Sequence, residues 1–454
     1  MLKKIRQMLR TPGSFVQNAA FMFSASVGGM AVQFLFMPLL SRIYDPEAYG
    51  LFGVFNAVLV ILGTAATLGY NQAFVLPKTE QAFRGLLSIT LRIGLLFSVV
   101  VTALAIVFID ALQAWAPTAP LGLWWFGLGP LLLLFVVDRV LMDWSIRDKA
   151  FKRQSLWSVP TMLVSKGFNV GYGWGISPTV DGHIWTTAIT YVLRIGVYMR
   201  WVIPNAFKRL LTRSTRESRR QAATEYADYP RFTLWGNLLN VGSSYIPILL
   251  LPLILSDVEA VGFYTFSLLL LEVPMRLISS AITPVYINKA AEVVDQRPHE
   301  LGPLTFQLFR SLVWPVAIGM GLLYALGEPI YVLAFGEPWR TAGQAAEVLS
   351  LFYFFRLVSS PLSPVINILR KEHELFRFQV GLFVLRAASL LPGLIWEWGF
   401  LELMVSYSAV NALSYLALNQ RIFGLIGHRV WRVLLESCVA IGVCLLAAHL
   451  LKPA

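Results

Sequence analysis

The sequence predicts an all-α polytopic membrane protein with 12 to 14 transmembrane helices, thirteen by count, in two pseudo-symmetric six-helix lobes. Three observations carry that prediction. Hydrophobic residues make up 57% of the 454 residues and charged residues only 14%, at a mean hydropathy of +0.64, whereas about a quarter of an ordinary soluble domain is charged. Apolar stretches near the ~20 residues needed to cross ~30 Å of hydrocarbon recur along the whole chain. One long polar run, Asn205 to Pro230, breaks the pattern near the middle, with Lys208, Arg209, Arg213, Arg216, Arg219 and Arg220 set against three acids. Clusters of Lys and Arg stay on the side of insertion, so this run reads as a cytoplasmic linker that orients the segments around it. A patch for lipid headgroups or nucleic acid is the lesser reading, because a positive cytoplasmic loop needs no ligand.

Taken in order, the first apolar segment follows Lys3, Lys4, Arg6 and Arg10 and is about 25 residues long, which exceeds the core of a cleaved signal peptide. It reads as the first span. The thirteen stretches are Phe15–Leu40, Leu51–Val75, Leu86–Ile109, Leu121–Met142, Leu156–Ile176, His183–Ile203, Phe232–Leu255, Ala260–Ile287, Leu304–Leu326, Gly343–Leu369, Phe376–Trp396, Leu401–Gln420 and Val433–Leu451. The resulting division is a lobe over residues 1–204, the basic linker 205–230, a second lobe over 231–421 and an additional hydrophobic segment over 422–454. With the amino terminus inside, alternate connections hold the basic residues, among them Lys78, Arg84, Arg147, Lys149, Lys289, Arg370 and Arg429, while the opposite ones hold little beyond Arg42 and Arg340.

That topology accounts for most of the net charge of +12, so nucleic acid is not implied as a partner. Cys438 and Cys444 form no disulfide framework, and five scattered histidines give neither metal nor haem chemistry any support. All outward connections are short, the longest being Gly327 to Ala342, which argues against a ligase or polymerase with an outer catalytic domain. The glycines Gly167, Gly171, Gly173 and Gly175 mark places where a helix can bend. Trp124, Trp125, Trp144 and Trp157 read as interfacial belts. An internal echo supports duplication: Pro38-Leu-Leu-Ser41 leads into Glu47-Ala48-Tyr49-Gly50, and Pro252-Leu-Ile-Leu255 leads into Glu259-Ala260-Val261-Gly262.

The most informative residues are charges in mid-span. Lys166, Arg194, Arg276, Arg356 and Arg386 fall near the centres of their segments, and Glu272 is also central in the eighth. Each cation costs roughly 2.5–3.5 kcal/mol on insertion scales unless water or a partner receives it. Glu272 and Arg276, four apart on one helix face, are expected to neutralise each other and to serve as an ion-coupling or gating pair. Lys166, Arg194, Arg356 and Arg386 are then left unmatched, and a shared cationic cavity that receives an anionic headgroup would hold them. Guanidinium grips phosphate oxygens bidentately and lysine adds a point charge, which suits a phosphate or diphosphate. Snorkelling and hydrogen bonding between helices are the competing explanations for each.

The opening third, Pro38-Leu-Leu-Ser41-Arg42-Ile-Tyr44-Asp-Pro46-Glu47-Ala-Tyr49-Gly50-Leu-Phe52 followed by Leu68-Gly69-Tyr70-Asn71-Gln72-Ala73-Phe74, resembles a known family. It is similar to the polysaccharide-transport flippases (Wzx-like) of the multidrug/oligosaccharidyl-lipid/polysaccharide exporter superfamily, whose members commonly have twelve or fourteen spans. The resemblance implies a non-enzymatic transporter in the bacterial inner membrane. Its implied cargo is an undecaprenyl-diphosphate-linked O-antigen or exopolysaccharide repeat unit, moved to the outer leaflet by alternating access. Polysaccharide polymerase and chain-length proteins are the implied partners. No cofactor is expected beyond H+ or Na+ coupling, for which Glu272 is the candidate acid. The rival readings are a multidrug exporter of the same superfamily, disfavoured because such pumps carry cations, and a membrane enzyme of polysaccharide assembly.

Overall fold

A backbone crossing hydrocarbon must satisfy every N–H and C=O internally, and this chain does so with helices alone. The computed structural model describes residues 15–111, 121–211 and 214–451, and no strand occurs among them. Lys3, Lys4, Arg6, Arg10 and Arg213 lie outside the described residues. In order the helices are α1 (Phe15–Ile43), α2 (Pro46–Ala66), α3 (Glu80–Val107), α4 (Trp124–Arg147), α5 (Phe151–Gly175) and α6 (Val180–Val197). The linker helices α7 (Ala206–Leu211) and α8 (Arg216–Glu225) follow, then α9 (Leu234–Leu255), α10 (Glu259–Ala281), α11 (Thr283–Gln296) and α12 (Leu301–Phe335). The last six are α13 (Arg340–Ser359), α14 (Val365–Ile368), α15 (Glu372–Ala388), α16 (Pro392–Trp396), α17 (Phe400–Leu425) and α18 (Val430–Leu451).

The protein is an all-α, multi-pass membrane protein. Among the described residues ten helices are long and apolar enough to cross a membrane on their own. The thirteen expected spans are reached only by adding α5, α6 and α13, which are helical but too polar to meet that standard. These three carry Lys166, Arg194 and Arg356. Their polarity has a packing reason: fourteen of the twenty residues of α13 are buried in protein, and α5 and α6 share a polar cavity, so neither kind of helix has to match lipid all round.

The chain divides into two compact units between Gly242 and Ser243, inside α9. In the first unit α3 packs on α4 where Gly94 and Gly129 let them close up. A Cβ on Gly94 would stand 2.5 Å from Val136 Cγ1, and one on Gly129 would stand 2.7 Å from the Ser98 carbonyl oxygen. The linker is folded onto this unit. Arg209 Nη1 donates to Asp148 Oδ2 at 2.5 Å and its Nε donates to Glu80 Oε1 at 3.1 Å, while α8 lies against α3 so closely that a Cβ on Gly85 would come within 2.4 Å of the Ser218 carbonyl. Trp125 and Trp144 are 2% and 0% exposed, so these two are core residues and not part of an interfacial belt. Trp124 donates to Asp181 Oδ1, and Trp157 stacks on Trp201 at 4.5 Å.

In the second unit α13 is the buried centre, packed by α10, α12 and α17. Helices α12 and α13 cross at Gly327 and Gly343, where a Cβ on either would meet the other helix at under 3.0 Å. The repeated turn noted in the sequence uses an aspartate at the helix start in both units, Asp45 as the N-cap and Asp257 one residue before the N-cap Val258. Asp45 Oδ1 accepts from Ala48 N at 2.8 Å at the start of α2, and Asp257 Oδ1 accepts from Glu259 N at 2.8 Å at the start of α10. Both satisfy backbone donors that a helix start otherwise leaves bare.

Candidate functional site

Polar side chains gather inside each unit, and the two gatherings differ. In the first, Tyr44 at the end of α1 is aimed across to α5, where its hydroxyl donates to the Asn169 carbonyl at 2.8 Å. Two glycines make room for that ring: a Cβ on Gly182 would stand 2.2 Å from Tyr44 Oη, and one on Gly173 would stand 2.9 Å from it. Gly173 therefore permits close approach within α5, which runs unbroken through Gly167, Gly171 and Gly173 and ends at Gly175. Beyond Tyr44, the His183 ring packs against it at 4.2 Å, tilted by 40°, and its Nδ1 lies 3.2 Å from Asn169 Nδ2.

This arrangement forms one wall of a cavity of about 460 Å³ between α5 and α6, lined by Lys166, Arg194, Asn169, His183, Thr187 and Thr190 among others. Ser165 and Thr190 hydrogen-bond each other across it. The structure thus brings together two of the four predicted cations. Arg194 is not unmatched, however: its Nε pairs with Asp138 Oδ1 of α4 at 3.1 Å. Asp138 is nearly sealed at 9% exposure while Arg194 keeps 32%, so the guanidinium is anchored on one side and open on the other. Beside it Arg139 pairs with Asp143 at 3.2 Å, and Asn71 donates to the same carboxylate at 2.6 Å. Lys166 has no ion-pair partner among the described residues.

In the second unit two of the charges pair with each other and a third is enclosed. Glu272 Oε1 accepts from Arg356 Nη1 at 2.9 Å and from the Tyr353 hydroxyl at 2.6 Å, and Arg356 also donates to Tyr353 Oη at 2.8 Å. Arg386 is 4% exposed and donates to Asn411 Oδ1 at 2.7 Å and Ser243 Oγ at 2.9 Å. The two guanidinium carbons flank the Phe352 ring at 5.8 Å and 5.9 Å. Arg356 is therefore matched, and the expected Glu272/Arg276 neutralisation is replaced. The i, i+4 spacing permits that contact, but α10 turns Glu272 toward α13, while Arg276 is exposed and makes no ion pair among the described residues.

From the sequence, Asp138 and Asp143 are not assigned as partners of the cations, and His183 and Tyr353 are given no role. An acid inside or bordering an apolar segment costs as much as a base there, and that signal applied to both aspartates. Nothing in the spacing singles out His183 or Tyr353. Among the described residues no three His, Cys, Asp or Glu side chains gather as metal ligands.

Residues 39–344 match the family described as "Polysaccharide biosynthesis protein". The chain is 22% identical over 424 residues to the succinoglycan biosynthesis transport protein ExoT of Rhizobium meliloti (strain 1021), covering 90% of this chain and 80% of that protein. Among solved structures, the lipid II flippase MurJ in an inward closed conformation aligns with a TM-score of 0.68 at 13% identity, over 95% of this chain and 93% of that one. An inward-facing multidrug resistance MATE family transporter of the MOP superfamily aligns with a TM-score of 0.64 at 12% identity, over 94% and 98%. At such identities the structural likeness shows a shared transporter fold.

Proposed function

This chain belongs to the polysaccharide biosynthesis protein family, and from that premise we propose that it is a flippase. Its cargo is a polyprenyl-diphosphate-linked oligosaccharide, an O-antigen or exopolysaccharide repeat unit, carried from the cytoplasmic to the outer leaflet of the plasma membrane by alternating access. The observation that carries the reading is the cavity lined by Lys166 and Arg194. A diphosphate is the part of such a cargo least able to enter hydrocarbon, because a bare charge at mid-bilayer is expensive. Arg194, held by Asp138 on one side, has free donors on the other for phosphate oxygens, and Lys166 supplies a second charge. Thr187, Thr190 and Asn169 offer the hydroxyls and amide that sugar hydroxyls pair with.

Arg386, sealed by its hydrogen bonds, acts as a positioning residue for the second unit. Arg356, Glu272 and Tyr353 form the group that changes partners with the bound ion, H+ or Na+, in place of the Glu272/Arg276 pair. The fold likeness to a drug transporter keeps an exporter as the competing reading, but a cavity with excess positive charge repels the cationic compounds such pumps carry. The amino terminus and the basic linker are cytoplasmic by the distribution of Lys and Arg. The chain acts as a transporter and performs no covalent step.

The test is complementation of a strain lacking the gene. Lys166→Gln and Arg194→Gln are expected to reach the membrane in normal amounts, to abolish surface polysaccharide and to leave lipid-linked repeat units on the inner leaflet. Normal polysaccharide in both variants, or drug sensitivity as the only defect of the deletion, overturns the reading.

A further inference from the structure

Helix α3 carries Arg84 and Arg92 eight residues apart, with Ser88 midway, so all three share one face. The linker comes back to that face. Between them lies a second cavity, of about 600 Å³, whose lining includes Arg84, Arg92, Arg209 and Arg219 together with Leu91 and Leu95. No acidic side chain lines it among the described residues. Arg209 is committed to Glu80 and Asp148, and Arg219 to the Ser214 carbonyl at 2.7 Å and hydroxyl at 3.0 Å. The other two have donors to spare. Arg84 Nε is buried without a hydrogen-bond acceptor, the nearest carboxylate oxygen being Glu80 Oε1 at 3.6 Å, and Arg92 is exposed with no ion pair among the described residues.

A positive loop accounts for basic residues scattered over a surface, but not for four arginines converging from two elements on one void. The apolar end of the cavity identifies the class of ligand. Leu91 and Leu95 continue along a membrane-spanning helix, and Leu95 and Leu96 are 49% and 65% exposed, so a ligand with a phosphate at one end and a hydrocarbon chain at the other fits both parts. A soluble anion would use only the arginines. We propose that this cavity binds the phosphate of an acidic phospholipid, its acyl chain lying along Leu91 and Leu95, and that the bound lipid braces the linker against α3. The site is separate from the Lys166/Arg194 cavity and does not depend on the flippase assignment.

The full-length protein, reconstituted in nanodiscs of phosphatidylcholine with added phosphatidylglycerol and released for native mass spectrometry, tests this directly. Wild type should retain phosphatidylglycerol over phosphatidylcholine. Arg92→Gln, which breaks no hydrogen bond or ion pair among the described residues, should lower that retention about fivefold, the effect of one basic residue near an anionic surface. Arg92→Lys should restore most of it, Arg219→Gln on the opposite wall should repeat the loss, and Arg297→Gln, also at an exposed arginine, should leave it unchanged. Equal retention in wild type and both glutamine variants overturns the proposal, as does displacement of phosphatidylglycerol by inorganic phosphate, which would assign the site to a free anion.

Discussion

Arg194 and Arg386 each sit near the middle of an apolar segment, and by sequence they look alike. In the first unit Arg194 has one carboxylate partner, keeps about a third of its surface and faces a cavity with Lys166 beside it. In the second, Arg386 has no carboxylate partner among the described residues, is almost fully enclosed and is received by an amide and a hydroxyl. The contrast shows that depth in a span establishes only that a charge needs company. Whether the company is another side chain or a ligand depends on how many donors are left facing open space. Arg194 has some left facing open space, whereas Arg386 gives its Nε and Nη1 to the protein and is almost fully enclosed.

On that contrast, removing the partner of a buried charge should cost more stability in the second unit than in the first. The largest stability loss should come from Asn411→Leu, which leaves Arg386 enclosed without its best acceptor and should cost about 3–5 kcal/mol. Thermal unfolding in detergent measures it, and a loss under about 1 kcal/mol would mean that water already serves Arg386. Next is Glu272→Gln, which removes the charge that Arg356 and Tyr353 converge on. A loss of about 2 kcal/mol is expected, with any ion dependence of transport abolished in reconstituted vesicles. Retained ion dependence would remove Glu272 from the coupling group.

Gly182→Ala drives a methyl into the Tyr44 hydroxyl and should cost about 1–3 kcal/mol by overpacking, with lowered polysaccharide output because the cavity wall shifts. The smallest stability effect belongs to Asp138→Asn. Arg194 is partly solvated, so losing its partner should cost only about 1 kcal/mol. The freed guanidinium should hold an anionic cargo more tightly, and slower release at unchanged protein abundance is the expected signature. A fall in stability as large as that of Asn411→Leu would erase the distinction between the two units.

Much of the architecture was legible from residue order alone. Span length, the polar run at 205–230 and the repeated turn motifs before Glu47 and Glu259 are local quantities, because hydrocarbon thickness and short sequence motifs act over one or a few turns. So is the fact that Lys166, Arg194, Arg356 and Arg386 need partners. Which partner each one has was not legible, since Asp138 lies 56 positions from Arg194 and Glu272 lies 84 from Arg356. The i, i+4 neighbour Arg276 was the obvious local candidate for Glu272, and helix rotation against α13 overruled it. Trp125 and Trp144 repeat the lesson, since an aromatic ring near a span end suits an interface or a core equally well until neighbouring helices close over it. Sequence determined that charge would be buried, because the cost of burial depends on the residue and its depth. Only the tertiary structure decided where that charge is neutralised and where it stays available, because helix rotation and close packing set which distant side chains meet.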